Sequence, residues 1–123
     1  MLDHISIAVR SVPHSKLFYA AVLHSLGYGV VQESAAFVGF GVGKKPEFGL
    51  FAVDTGLALM PQHIAFAAES RAAVDRWYVA ALAAGGVCNG APGVRPEYHA
   101  NYYGAFVLDP DGNNVEAVCH AAP

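Results

Sequence analysis

Asp109-Pro110-Asp111-Gly112-Asn113-Asn114-Val115-Glu116-Ala117-Val118 is the stretch that decides how this chain is read. Its first half is turn chemistry: Asp and Asn residues, a glycine, and a proline that fixes φ. Its second half reads as a short strand with Glu116 in the middle. A carboxylate buried there without a partner is costly. Glu116 therefore either faces solvent or meets a cation.

Working back from this stretch, Gly104 to Leu108 reads as the strand before the turn, and Pro92 to Tyr103 as a loop rich in Pro, Tyr and His. Ahead of the loop, a strand segment at Cys88 follows an apolar helical stripe of Val74, Trp77, Tyr78, Ala81 and Leu82. Ser70 is its candidate cap and Gly85-Gly86 its stop. A His-led strand, His63-Ile64-Ala65-Phe66-Ala67, opens this half. The first half repeats the plan. His4 leads Ile5-Ser6-Ile7-Ala8-Val9, Ser11-Val12-Pro13 starts a helix carrying Leu17, Phe18, Ala21, Val22 and Leu26, and Gly27 ends it. Strands follow at Tyr28 to Gln32, Ala36 to Gly41 and Phe48 to Val53, with Pro46-Glu47 as a break and Asp54-Thr55-Gly56 as a turn. The step from His4 to Gly27 equals the step from His63 to Gly86, which marks an internal repeat.

The expected architecture is α+β: two βαβββ modules, about 1–56 and 62–121, in one domain spanning 1–123. Two like modules bury the open faces of their curved mixed sheets by packing around a shared pocket. Of the 123 residues, 54% are hydrophobic and only 14% charged, so part of the apolar surface is expected to be covered by a second copy in a homodimer. With a net charge of −3 and no basic cluster beyond Lys44-Lys45, neither nucleic acid nor an anionic membrane surface is an expected partner. Cys88 and Cys119 are too few for a disulfide framework, and neither a leader nor a membrane span is read, so the expected compartment is the cytoplasm.

His4 and His63 hold equivalent places in the repeat, and Glu116 lies on the last strand. Pointing inward together, two imidazoles and one carboxylate form a facial ligand set for a divalent ion, with positions left open for a substrate that chelates through two adjacent oxygens. His14, His24 and His120 read as surface residues, Trp77 and Phe18 as core, and Cys119 as buried. Gly39 to Lys45 lacks the ending and the following helix of a phosphate loop.

His4 to Val9, His63 to Phe66, and Phe106 to Glu116 resemble the vicinal oxygen chelate superfamily of glyoxalase I, bleomycin-resistance proteins, fosfomycin-resistance enzymes and extradiol dioxygenases. The resemblance covers essentially the whole chain. It implies His4, His63 and Glu116 as ligands of a divalent metal (Fe, Mn, Ni or Zn). Glyoxalase I-like members add a carboxylate or Gln on the last strand of the first module; matching Phe51-Ala52-Val53 to Glu116-Ala117-Val118 puts Phe51 there, with Glu47 the nearest acid. Three protein ligands are closer to the extradiol pattern. That pattern implies His99 as a proton-transfer residue and a tyrosine where this chain has Phe106, leaving Tyr102 or Tyr103 to substitute. The implied activity is a glyoxalase- or dioxygenase-like metalloenzyme, with oxygenase, isomerase or lyase chemistry on a small substrate. The alternative is a metal-independent binding protein of the bleomycin-resistance type, its pocket lined by aromatics such as Phe37, Phe40, Phe51, Tyr102 and Tyr103. A thiol transferase acting on phosphonates would need more basic residues than Arg10, Lys44, Lys45 and Arg95.

Overall fold

In the computed structural model, which describes residues 1–54 and 56–123, the repeat becomes two four-stranded sheets, each with one helix. Thr55, in the turn expected at Asp54-Thr55-Gly56, lies outside the described residues. The first module runs β1 (Ile5–Val9), α1 (Val12–His24), β2 (Gly29–Glu33), β3 (Phe37–Val42) and β4 (Lys45–Ala52). The second runs β5 (His63–Ala67), α2 (Arg71–Ala83), β6 (Val87–Val94), β7 (Tyr103–Leu108) and β8 (Asn114–Cys119). The sheet orders are β1-β4-β3-β2 and β5-β8-β7-β6. In each, the first and last strands pair in parallel and the remaining neighbours antiparallel.

Both helices start where the caps predict. Ser11 Oγ accepts from His14 N at 3.2 Å and Ser70 Oγ from Ala73 N at 3.1 Å. Each helix lays an apolar stripe on its sheet, and α1 packs against α2. The resulting core joins Phe18, Tyr19, Val22 and Leu23 to Val74, Trp77 and Ala81, and takes in Val38, Phe40, Phe48 and Leu50 from one sheet and Val107, Val115 and Ala117 from the other. Phe48 meets Phe66 edge-to-face across the seam, with ring centroids 5.2 Å apart.

The largest boundary differences from the sequence reading are at two prolines. Pro46 does not break the chain but sits inside β4. It lies beside a register shift between Phe40 and Gly41 and ahead of Phe48, where pairing with β1 begins, so its missing N–H leaves no gap there. Pro92 lies within β6 instead of opening a loop. β6 is the edge of its sheet and is bulged on either side of Gly90, the setting in which a strand tolerates proline.

The Asp109–Asn113 turn ties the modules together. Asp109 Oδ1 accepts from the backbone N–H groups of Asp111 (2.9 Å) and Asn113 (2.8 Å). Its Oδ2 accepts from the Asn113 amide (2.8 Å) and from the Tyr19 hydroxyl of α1 (2.5 Å). Asn113 Oδ1 accepts from Gln62 N ahead of β5, and Asp111 accepts from Arg10 and Ser15. Burial, then the Asp109 charge, pushes the Tyr19 phenol far above its ordinary pKa, so Tyr19 stays a donor. The motif thus clamps the start of the strand that carries Glu116.

Candidate functional site

Side chains on β8 alternate between the helix-covered face and the open face. Val115 and Ala117 lie under α2, and Glu116 takes the other side, yet it is only 1% exposed. Two groups cover it. The Tyr102 hydroxyl donates to Oε1, and His63 Nε2 stands 3.1 Å from Oε2. Burial first, then the Glu116 contact, raises the Tyr102 phenol well above its usual range, which keeps it a donor.

The second nitrogen of His63 decides the chemistry of this pair. His63 Nδ1 lies 2.9 Å from the carbonyl oxygen of Asn114. A carbonyl only accepts, so Nδ1 carries a proton, and whenever the ring is neutral Nε2 turns a bare lone pair toward the carboxylate. Two acceptors then face each other, and the pair requires one positive charge between them, either a proton or a metal ion. A backbone carbonyl on the remote nitrogen is also how metal-bound imidazoles are oriented. The chemistry of the pair is compatible with a divalent ion, which His63 Nε2 and Glu116 Oε2 would hold.

The surrounding cleft, about 690 Å³, is lined by His63, Glu97, Tyr98, His99, Tyr102, Phe106, Asn114 and Glu116. Phe106 stacks on His63 with centroids 6.3 Å apart. Of the site residues expected from the sequence, His63, His99, Tyr102 and Glu116 meet here. His4 does not join them within one chain. It is exposed, and its Nδ1 bonds Asp3 Oδ1 at 2.8 Å, which, with Lys45, holds the Asp3 carboxyl below the usual range. Among the described residues, no three His, Cys, Asp or Glu side chains gather as a metal-holding group. His4 and His63 do both line a second cleft of about 390 Å³ at the seam of the modules.

The other expected residues sit elsewhere. Tyr103 is turned to the helix side: its hydroxyl donates to Asp75 of α2 at 2.7 Å and Arg71 lies over its ring. Neighbours on a strand face opposite ways, so Tyr102 and Tyr103 could not both serve the cleft. Phe40 is fully buried under α1 and reaches only the seam cleft, and Phe51 lies on the open face of the first sheet, 39% exposed. His99 lines the cleft, but both its nitrogens are taken: Nδ1 accepts from Asn101 N at 3.1 Å and Nε2 lies 2.6 Å from His120 Nδ1. It has no free nitrogen with which to move a substrate proton.

Strand register also corrects the match of Phe51 to Glu116. Ser6 pairs with Gly49 as Ala65 pairs with Glu116, and Ala8 pairs with Phe51 as Ala67 pairs with Val118. Gly49 is the true counterpart of Glu116. A Cβ there would come within 2.5 Å of Ser6 Oγ and 2.8 Å of the Phe37 ring, so that ring fills the place a carboxylate would need. In the second sheet the counterpart of Phe37 is Gly104, and the space is reversed. A Cβ on Gly104 would sit 3.0 Å from Glu116 Oε1 and 3.2 Å from the Tyr102 ring. Gly104 thus makes room for Glu116 and its cap, a role no local signal announces. Gly104→Val is expected to push both side chains out of place and to cost about 1–3 kcal/mol by overpacking, measurable by urea denaturation.

The chain matches the Glyoxalase/Bleomycin resistance protein/Dioxygenase superfamily over residues 1–117. It belongs to that superfamily. A glyoxalase/bleomycin resistance protein from Albidiferax ferrireducens is similar in structure, with 29% identity, a TM-score of 0.83 and coverage of 95% of this chain and 97% of that one. A family enzyme from Burkholderia phytofirmans (23% identity, TM-score 0.76, 98% of both chains) shares the fold. So does a lactoylglutathione lyase from Agrobacterium tumefaciens (21% identity, TM-score 0.71, 97% of this chain and 92% of that one). No curated protein matches. Among the described residues, no helix is long and apolar enough to cross a membrane.

Proposed function

We propose that the protein is a metal-dependent enzyme of the glyoxalase/dioxygenase type, acting on a small substrate that chelates a divalent ion through adjacent oxygens. The observation that carries this reading is the pair of facing acceptors, His63 Nε2 and Glu116 Oε2, on a buried carboxylate. His63 and Glu116 hold the ion from one chain, and His4 of a second copy supplies the third ligand in a homodimer. The exposure of His4 and the absence of a third ligand in its own chain, among the described residues, favour that division. The metal, once bound, supplies Lewis-acid or dioxygen chemistry to a chelated substrate. Tyr102 holds one oxygen of Glu116 and leaves the other for the ion, and Phe106 offers a flat apolar wall. Because Gly49 and Phe37 exclude a fourth protein ligand from the first sheet, oxygenase chemistry is favoured over that of glyoxalase I.

Metal analysis tests this. Protein purified without chelator is expected to carry close to one Fe, Mn, Ni or Zn per site, absent from Glu116→Ala; no metal in the native protein, even after metal is added, counts against it. The second reading is metal-independent binding of a flat aromatic molecule. The aromatic surround of Tyr98, Tyr102 and Phe106, and the meeting of no more than two candidate ligands among the described residues, favour it. Thermal stabilisation by aromatic ligands that is indifferent to metal would select this reading.

A further inference from the structure

Three rings pack around Tyr102. Centroid distances are 4.8 Å to Tyr98, 5.2 Å to His120 and 5.5 Å to His99, and both imidazoles meet it edge-on. His99 and His120 are themselves stacked, 4.8 Å apart, and joined by a 2.6 Å nitrogen–nitrogen hydrogen bond. The direction of that bond follows from the backbone. Asn101 N–H donates to His99 Nδ1, so His99 carries its proton on Nε2 and donates it to Nδ1 of His120. His120 lies just past β8, and Tyr102 stands just before β7, where Tyr103 pairs with Cys119, so this bond ties the β6–β7 loop to the end of β8. The loop between β6 and β7 is further closed by Arg95 N to Tyr102 O at 2.8 Å and Tyr102 N to His99 O at 3.1 Å.

We infer that His120 is a positioning residue: as acceptor for His99, it locks the ring cage that delivers the Tyr102 hydroxyl to Glu116 Oε1. The consequence lies at the other oxygen. With Oε1 occupied by Tyr102, Glu116 presents only Oε2 beside His63. The cage therefore sets how many oxygens Glu116 offers in the cleft. This deepens the proposed function and rests on it only where metal is concerned; the placement of Tyr102 stands by itself.

The test uses two variants with opposite chemistry. His120→Asn keeps an acceptor close to the position of Nδ1, and His120→Phe keeps a stacking ring but removes the acceptor. In metal-free protein containing chelator, the Tyr102 ring resonances are expected to match the wild type in His120→Asn and to move in His120→Phe. The shift in His120→Phe is expected to resemble that produced by Glu116→Ala, which removes the acceptor of the Tyr102 hydroxyl, while core methyl signals stay in place in all three. In zinc titrations, His120→Phe is expected to change affinity by about tenfold, within the range for groups that orient a ligand, and His120→Asn by much less. Tyr102 resonances unchanged in His120→Phe, or moved equally by both variants, overturn the inference. If Tyr102 follows the acceptor and zinc never binds, the positioning role stands and the metal reading falls.

Discussion

Asp109→Ala is expected to destabilise the fold by about 3–5 kcal/mol, among the largest effects of any single substitution in this chain. The carboxylate is buried and accepts four hydrogen bonds: two backbone N–H groups, the Asn113 amide and the Tyr19 hydroxyl. Removing it leaves all four donors without a partner where water does not easily replace it, and each orphaned buried group costs about 1–3 kcal/mol before relaxation. The loss crosses the module boundary, because Tyr19 belongs to α1 and Asp109 follows β7. Urea denaturation followed by tryptophan fluorescence reads it directly, since Trp77 of α2 is fully buried in the shared core. A fall in midpoint with unchanged slope is expected. Tyr19→Phe, which removes one donor and leaves the other three satisfied, is expected to cost about 1–2 kcal/mol.

Glu116→Gln is the second large effect, and its sign differs between stability and function. The amide oxygen still accepts from Tyr102, and the amide N–H₂ now donates to His63 Nε2, ending the confrontation of two acceptors. Metal-free Glu116→Gln is therefore expected to be as stable as the wild type or more so, since replacing a buried charge is often neutral or stabilising. Metal affinity is expected to fall by at least ~100-fold, because even partners that only orient a ligand are worth about 10–100-fold. Thermal melts with chelator and titrations without it measure the two halves. A residue kept for stability alone would show the opposite pattern: a destabilised variant with metal behaviour untouched.

Much of the architecture was legible because its signals are local. Ser11 with Pro13, Ser70, and the glycines after each helix mark helix ends, and the recurrence of a His-led strand announces two modules. Glu116 was legible for the same reason: a lone carboxylate in an apolar strand demands a partner. What escaped was register. Nothing local to Phe51 says that it pairs with Ala8, or that Gly49 is the counterpart of Glu116. That correspondence depends on how many residues each hairpin takes up, and the second module spends extra ones on the Tyr-rich loop. The prolines inside strands escape for a related cause, since Pro92's place on an edge strand and Pro46's place beside a register shift are properties of the sheet and not of the segment. His120 read correctly as a surface residue, but its partner lies 21 residues away. His99, a proton carrier by resemblance, has both of its nitrogens engaged, one by Asn101 N–H and the other by His120.

The central claim is that His63 keeps its proton on Nδ1 and offers Nε2, beside Glu116, to a cation. Ring ¹⁵N spectra of His63 during a zinc titration test this most directly. The account predicts that Nδ1 stays protonated throughout while Nε2 moves to a metal-bound shift at about one ion per site, and that Glu116→Ala abolishes the movement. A folded protein whose His63 nitrogens do not respond to zinc, or respond identically without Glu116, would contradict it.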